Sequence, residues 1–69
     1  MNFDELKNKA ATLPLAPGVY IMRDKNDKVI YVGKAKKLKN RVSQYFVNTV
    51  SHTPKTRLMV SHIDHFDVI

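Results

Sequence analysis

A mirrored pair of tripeptides, Gly18-Val19-Tyr20 and Tyr31-Val32-Gly33, dominates this sequence, with its two tyrosines eleven positions apart. Between them lies Asp24-Lys25-Asn26-Asp27-Lys28, a polar stretch rich in turn-forming residues. The flanking segments, Val19 to Arg23 and Val29 to Val32, are β-branched and aromatic, so the spacing predicts a hairpin. That hairpin constrains the fold more than any other feature, because its register brings Tyr20 and Tyr31 near one another. A basic run, Lys34-Ala35-Lys36-Lys37-Leu38-Lys39-Asn40-Arg41, starts where the second tripeptide ends. Phenolic hydroxyls beside dense positive charge suit chemistry on a phosphate backbone.

The elements around the hairpin follow from periodicity. Asn2 with Glu5 three residues on forms a capping box, followed by Phe3, Leu6, Ala10 and Leu13 at helical spacing. Pro14 and Pro17 stop that helix, since neither donates a backbone hydrogen bond. Beyond Gly33, Leu38, Val42, Tyr45 and Phe46 fall on one apolar stripe of a second helix. Its geometry puts Lys37 and Arg41 on one flank of the stripe and Tyr45 at the boundary, facing the hairpin. Val47 to Thr53 reads as a loop, and Pro54 opens a short helix containing Leu58, Met59 and Ile63. Phe66-Asp67-Val68-Ile69 reads as the beginning of a strand. The expected class is therefore α+β, a small antiparallel sheet of a hairpin plus a third strand, flanked by helices.

With 69 residues the chain makes a single domain. A domain of this size buries only about 60 % of its unfolded surface and is marginally stable. No cysteine is present, which excludes disulfides and thiolate zinc sites and fits a reducing compartment. No apolar run approaches a membrane span or a signal-peptide core, so a soluble, cytoplasmic protein is expected. Net charge is +6, and its placement is one-sided. Residues 1–27 carry four basic and four acidic side chains, whereas residues 28–69 carry eight basic against two acidic. Such a field concentrates polyanions, with nucleic acid the leading partner and an anionic membrane surface the runner-up.

A tyrosine beside a glycine in a strand is most often packing on a sheet face. The conjunction with Lys34, Arg41 and Tyr45 favours a functional reading. Lys36 and Lys39 sit nearer the solvated face, where charge mainly confers solubility. Gly33 is assigned to a close backbone approach or an unusual turn. His62 and His65, three apart, lack a clear third ligand and read as surface histidines. No role is assigned to His52, and Met22 and Met59 read as core filler.

Taken together, Leu13-Pro14, Pro17-Gly18-Val19-Tyr20, Tyr31-Val32-Gly33-Lys34-Ala35, Leu38, Arg41-Val42, Tyr45-Phe46 and Lys55-Thr56 resemble the GIY-YIG endonuclease family. The closer resemblance is to the branch of that family found in the bacterial excinucleases. That resemblance covers essentially the whole chain. It implies a small domain that hydrolyses one DNA strand with a single divalent ion, Mg2+ or Mn2+, making the 3′ incision of nucleotide excision repair. Carried onto this chain, Tyr31 becomes the general base or water-positioning group, and Tyr20 orients the water or metal shell. Lys34 and Arg41 stabilise Tyr31 and the scissile phosphate, and Tyr45 completes the hydroxyl cluster. DNA contacts are expected from Lys34, Lys36, Lys37, Lys39 and Arg41, with Gly18 and Gly33 as structural motif positions.

The chemistry is physically reasonable. A free phenol with a pKa of about 10 needs a drop of roughly 3 units, about 4 kcal/mol, to act as a base at neutral pH. One cation about 5 Å away supplies roughly 3 kcal/mol at an effective dielectric of 20. The family's metal ligand is a glutamate on a helix following the last strand, and the only glutamate here, Glu5, is on the first helix. The expectation is thus the N-terminal part, residues 1–69, of a longer nuclease, inactive alone, with the metal ligand beyond Ile69. The family also implies a helicase-like partner protein, UvrB, docked through regions outside this chain, and no membrane contact. The alternative is a non-catalytic basic nucleic-acid-binding module on the same scaffold.

Overall fold

Three strands and three helices make up the chain in a computed structural model that describes residues 2–47 and 52–69. Their order is α1 (Phe3–Ala11), β1 (Gly18–Arg23), β2 (Val29–Ala35), α2 (Leu38–Val47), α3 (Pro54–Ser61) and β3 (His65–Val68). The sheet is antiparallel throughout, in the order β2-β1-β3. The α+β architecture and the third strand agree with the sequence reading.

The capping box forms as expected. Asn2 accepts from the Glu5 amide at 2.8 Å, and the Glu5 carboxylate accepts from the Asn2 amide at 3.4 Å. Helix α1 ends at Ala11, capped by Thr12, so Leu13 lies past the helix yet still packs on the core. The loop containing Pro14 and Pro17 has a second task. Carbonyls of Pro14 and Ala16 accept from the Lys39 and Leu38 amides at 3.1 and 3.0 Å. They satisfy first-turn donors of α2 that no intrahelical carbonyl reaches.

Strand β2 runs to Ala35, three residues beyond the expected end at Val32, because Gly33, Lys34 and Ala35 pair with Tyr20, Val19 and Gly18. The basic run is therefore split between a strand, a connector and a helix, which begins only at Leu38. The expected apolar stripe is intact: Leu38, Val42, Tyr45 and Phe46 are all buried. They meet Leu6 and Ala10 of α1, Tyr20 and Met22 of β1, and Phe66 of β3 in one core. In α3 Val60 is buried in this core and Met59, expected as core filler, packs against it. Leu58, within the helix as expected, is 63 % exposed. Ile63 is buried but follows the helix. Of the loop expected over Val47 to Thr53, Val47 closes α2 and residues 48–51 lie outside the described residues.

The hairpin turn is tied to β3 through His65. Asp24 holds the Asn26 and Lys28 amides at 2.9 and 3.0 Å, and Asp27 adopts φ 63, a left-handed conformation that aspartate tolerates. The His65 ring lies between two carboxylates, with Nδ1 2.8 Å from Asp64 and Nε2 2.9 Å from Asp27. Only the imidazolium donates to both, since a neutral ring leaves one nitrogen lone pair facing an oxygen. Hydrogen bonding to Asp64 and then Asp27 therefore raises the His65 pKa above its ordinary 6.5. A raised folded-state value stabilises the turn fully below about pH 6.5, and the contribution fades as pH rises through the raised value. Amide-exchange protection at residues 24–28 is expected to fall over that rise, and Asp27→Asn to flatten the change. An unchanged pH response in that variant contradicts the assignment.

Candidate active site

The central strand supplies the anchor. Tyr20 is 1 % exposed, and its ring lies over Gly33 on the neighbouring strand. A Cβ at Gly33 would overlap Cζ and Oη of Tyr20 and sit 2.8 Å from Cε2. The glycine therefore serves a side-chain approach, since its φ is not positive. Gly18 is confined differently: a Cβ there would meet Leu38 Cδ1 at 2.5 Å and the Ile69 carbonyl at 2.8 Å. Replacing Gly33 with alanine forces Tyr20 or β2 to move, at a cost of about 1–3 kcal/mol. Urea denaturation is expected to show that loss, with Tyr20 ring resonances shifted. A variant as stable as the parent with Tyr20 unmoved contradicts this packing.

Around Tyr20 the other two tyrosines assemble from different elements. Tyr45 of α2 has its hydroxyl 2.9 Å from that of Tyr20, with ring centroids 5.8 Å apart. Tyr31 of β2 pairs with Met22 in the ladder, and its ring centroid lies 6.0 Å from that of Tyr20. Burial separates the three. Tyr20 and Tyr45 are buried, while Tyr31 is 40 % exposed.

One turn before Tyr45, the Arg41 guanidinium carbon stands 5.9 Å from the Tyr45 ring centroid. Hydrogen bonding to Tyr20, and then electrostatic interaction with the Tyr45 phenol, raise the Arg41 pKa further, so it is a fixed cation. Burial and the hydrogen bond to Tyr20 push the Tyr45 phenol above its ordinary 10.0, although Arg41 opposes this. Tyr45 thus stays protonated at neutral pH and is a donor, not a base. Of the three tyrosines, Tyr31 is the one exposed to solvent.

A cleft of about 250 Å³ opens beside this cluster, lined by Arg41, Gln44, Tyr45, His52, Thr53 and Thr56. His52 carries no mark of function in the sequence. Its Nε2 lies 2.9 Å from the Gln44 carbonyl, which fixes the N–H there, and its ring centroid is 6.1 Å from Tyr45. Its Nδ1 is buried without a hydrogen-bond partner among the described residues. A loop histidine has no periodic signal; its place depends on α3 returning toward α2.

The remaining candidates are not gathered here. Lys34 pairs with Val19, and strand alternation puts it on the face of β2 opposite Tyr31 and Gly33. Lys36, Lys37 and Lys39 are exposed around the start of α2, where the Lys37 carbonyl accepts from the Arg41 amide at 3.1 Å. Among the described residues, no group of three or more His, Cys, Asp or Glu lies together as a metal site. Glu5 is spent in the capping box of α1.

Comparison with known proteins agrees with this geometry. The profile of the UvrC-like GIY-YIG domain matches residues 16–69. UvrABC system protein C of Caldicellulosiruptor saccharolyticus is 61 % identical over 64 residues, covering 93 % of this chain and 11 % of that protein. Its counterpart from Caldanaerobacter subterraneus subsp. tengcongensis is 52 % identical over 65 residues, covering 94 % and 10 %. The chain thus spans about a tenth of the length of the curated relatives it matches. The GIY-YIG N-terminal endonuclease domain of UvrC from Thermotoga maritima, bound to its catalytic divalent cation magnesium, superposes with TM-score 0.80. Identity is 33 %, over 100 % of this chain and 72 % of that one. A variant of that domain with one tyrosine changed to phenylalanine is likewise bound to the catalytic divalent cation.

Proposed function

This chain belongs to the family of UvrC-like GIY-YIG domains, and from that premise we propose that it forms the strand-cutting face of a metal-dependent DNA endonuclease. In the longer protein the reaction is the 3′ incision of nucleotide excision repair, on damaged duplex delivered by the partner protein UvrB. The observation that carries this reading is the clustering of Tyr20, Tyr31 and Tyr45 with Arg41, two of which, Arg41 and Tyr45, line a cleft.

Each group has a distinct task. Arg41 offers a planar fork that holds two phosphate oxygens, which a lysine point charge does not match. Tyr31, exposed at 40 %, orients the attacking water and, as the phenolate, takes a proton from it while the new phosphorus–oxygen bond forms and the bond to the leaving strand oxygen breaks. The buried Tyr20–Tyr45 pair fixes Arg41 and the ring of Tyr31. Lys34, Lys36, Lys37 and Lys39 supply the surrounding field that draws in the backbone. The described residues do not compose a divalent-ion site. We assign the ion's carboxylate to sequence beyond Ile69, because the magnesium-bound Thermotoga domain is covered only to 72 %. On that assignment residues 1–69 are the N-terminal part of the domain and do not cleave alone.

The test is a magnesium- and manganese-dependent nicking assay of the 69-residue chain against a form extended by about 30 residues, the length of a strand-plus-helix unit. Cleavage by the longer form alone is expected. Cleavage by neither, with both folded and binding DNA, leaves a non-catalytic nucleic-acid-binding module instead.

A further inference from the structure

A second and larger opening is lined by Tyr31. It is a groove of about 550 Å³ between strand β2 and helix α3. Ile30 and Tyr31 form one wall, and Leu58 and Met59 the other. Lys28 and Lys55 stand at its rim. Asp24 is the one carboxylate there, and its Oδ1 is already held by the Asn26 and Lys28 amides. Thr56 lines both this groove and the cleft of Arg41 and Tyr45, so the two openings meet at the first turn of α3.

We propose that this groove seats a nucleotide adjoining the scissile phosphate, its base between Tyr31 and Leu58 and its phosphates on Lys28 and Lys55. The ligand class is an unpaired DNA strand, because a base must leave its stack to reach apolar walls. The chemistry of the lining matches that ligand. An aromatic face and aliphatic side chains accept any base without reading sequence, and flanking lysines track the backbone. The exposure of Leu58, at 63 %, then has a purpose that core packing does not give it. Residues 55, 58, 59 and 62 recur at helical spacing and all line the groove, whereas Arg57 of the same helix does not. The proposal rests on the strand-cutting reading only for the identity of its ligand.

Binding is therefore measured without divalent ion, by fluorescence anisotropy of a labelled single-stranded oligonucleotide on the 69-residue chain. Lys55→Glu and Arg57→Glu change the net charge equally on one helix, and only the first alters the groove. Lys55→Glu and Leu58→Asp are each expected to weaken binding about tenfold, the scale of one lost stacked base or phosphate contact, and Arg57→Glu less than about threefold. All three sites are exposed, and an acidic residue suits the first turn of α3, so circular dichroism should stay unchanged. Equal losses for the two charge reversals reduce the effect to the general field and overturn the proposal. So does a Leu58→Asp variant that binds like the parent. Groove-dependent binding without cleavage by the extended form sinks the nuclease reading and leaves the groove standing. Cleavage with a groove-independent affinity does the reverse.

Discussion

Arg41→Ala, placed in the extended form, lowers the turnover number for strand cleavage by about 100- to 1000-fold, the usual cost of removing one preorganised donor from a developing oxyanion. Arg41 is exposed on α2, so its removal opens no cavity and thermal stability changes by less than about 0.5 kcal/mol. The loss falls on turnover more than on the Michaelis constant, because the guanidinium is matched to charge that grows in the transition state. Arg41→Lys keeps the charge and loses the fork, so it recovers only a small part of the rate. Single-turnover nicking of a supercoiled plasmid reads both variants. A rate for Arg41→Ala within threefold of the parent, about 0.7 kcal/mol, removes Arg41 from the chemistry and leaves it as a partner of the tyrosine pair.

Tyr31 and Tyr45 separate on the same assay for a physical reason. Both lose only a hydroxyl on replacement by phenylalanine. At Tyr45 the change leaves the buried Tyr20 hydroxyl without its 2.9 Å partner, so it registers in stability as well as in rate. At Tyr31 the ring is half in solvent and its packing survives, so the change registers in rate alone.

Much of this arrangement was legible because it is local. The capping box, the prolines that end α1 and the apolar stripe of α2 each depend on residues within a few positions of one another. The hairpin was legible for the same reason, and with it the proximity of Tyr20 and Tyr31. What escaped depends on tertiary pairing. Strand β2 runs on to Ala35 because β1 offers it partners back to Gly18, and that extension turns Lys34 away from the tyrosines. No spacing rule shows this, since an unpaired Lys-Ala-Lys-Lys segment suits a helix equally well. Ile63 was placed on the short helix, yet α3 ends at Ser61 and Ile63 reaches the core from the segment that follows. Gly33 was expected to admit backbone, but the visitor is the Tyr20 ring, which only the register identifies.

Phe46→Ala is expected to unfold the 69-residue chain at 25 °C, for reasons of size as much as of contact. Phe46 is 1 % exposed and stacks on Phe66 at 5.9 Å with an interplanar angle of 22°. Phe3 meets it edge-on at 5.9 Å and 76°. Truncating a buried phenylalanine to alanine costs about 3–5 kcal/mol, and a single core in a domain this small seldom supplies more than about 3–5 kcal/mol. The two figures are equal, so nothing is left to hold the fold. Phe3→Ala is the control: its ring joins the same cluster but is 44 % exposed, and the expected loss is about 1 kcal/mol, an ordinary single-site effect. Urea melts followed by far-ultraviolet circular dichroism distinguish the two. Near-equal losses for Phe46→Ala and Phe3→Ala overturn the central place given to Phe46. An unfolded Phe46→Ala beside a folded Phe3→Ala ties the site to its core, because Tyr45, the preceding residue on α2, reaches Tyr20 only while Phe46 holds that helix against Phe66.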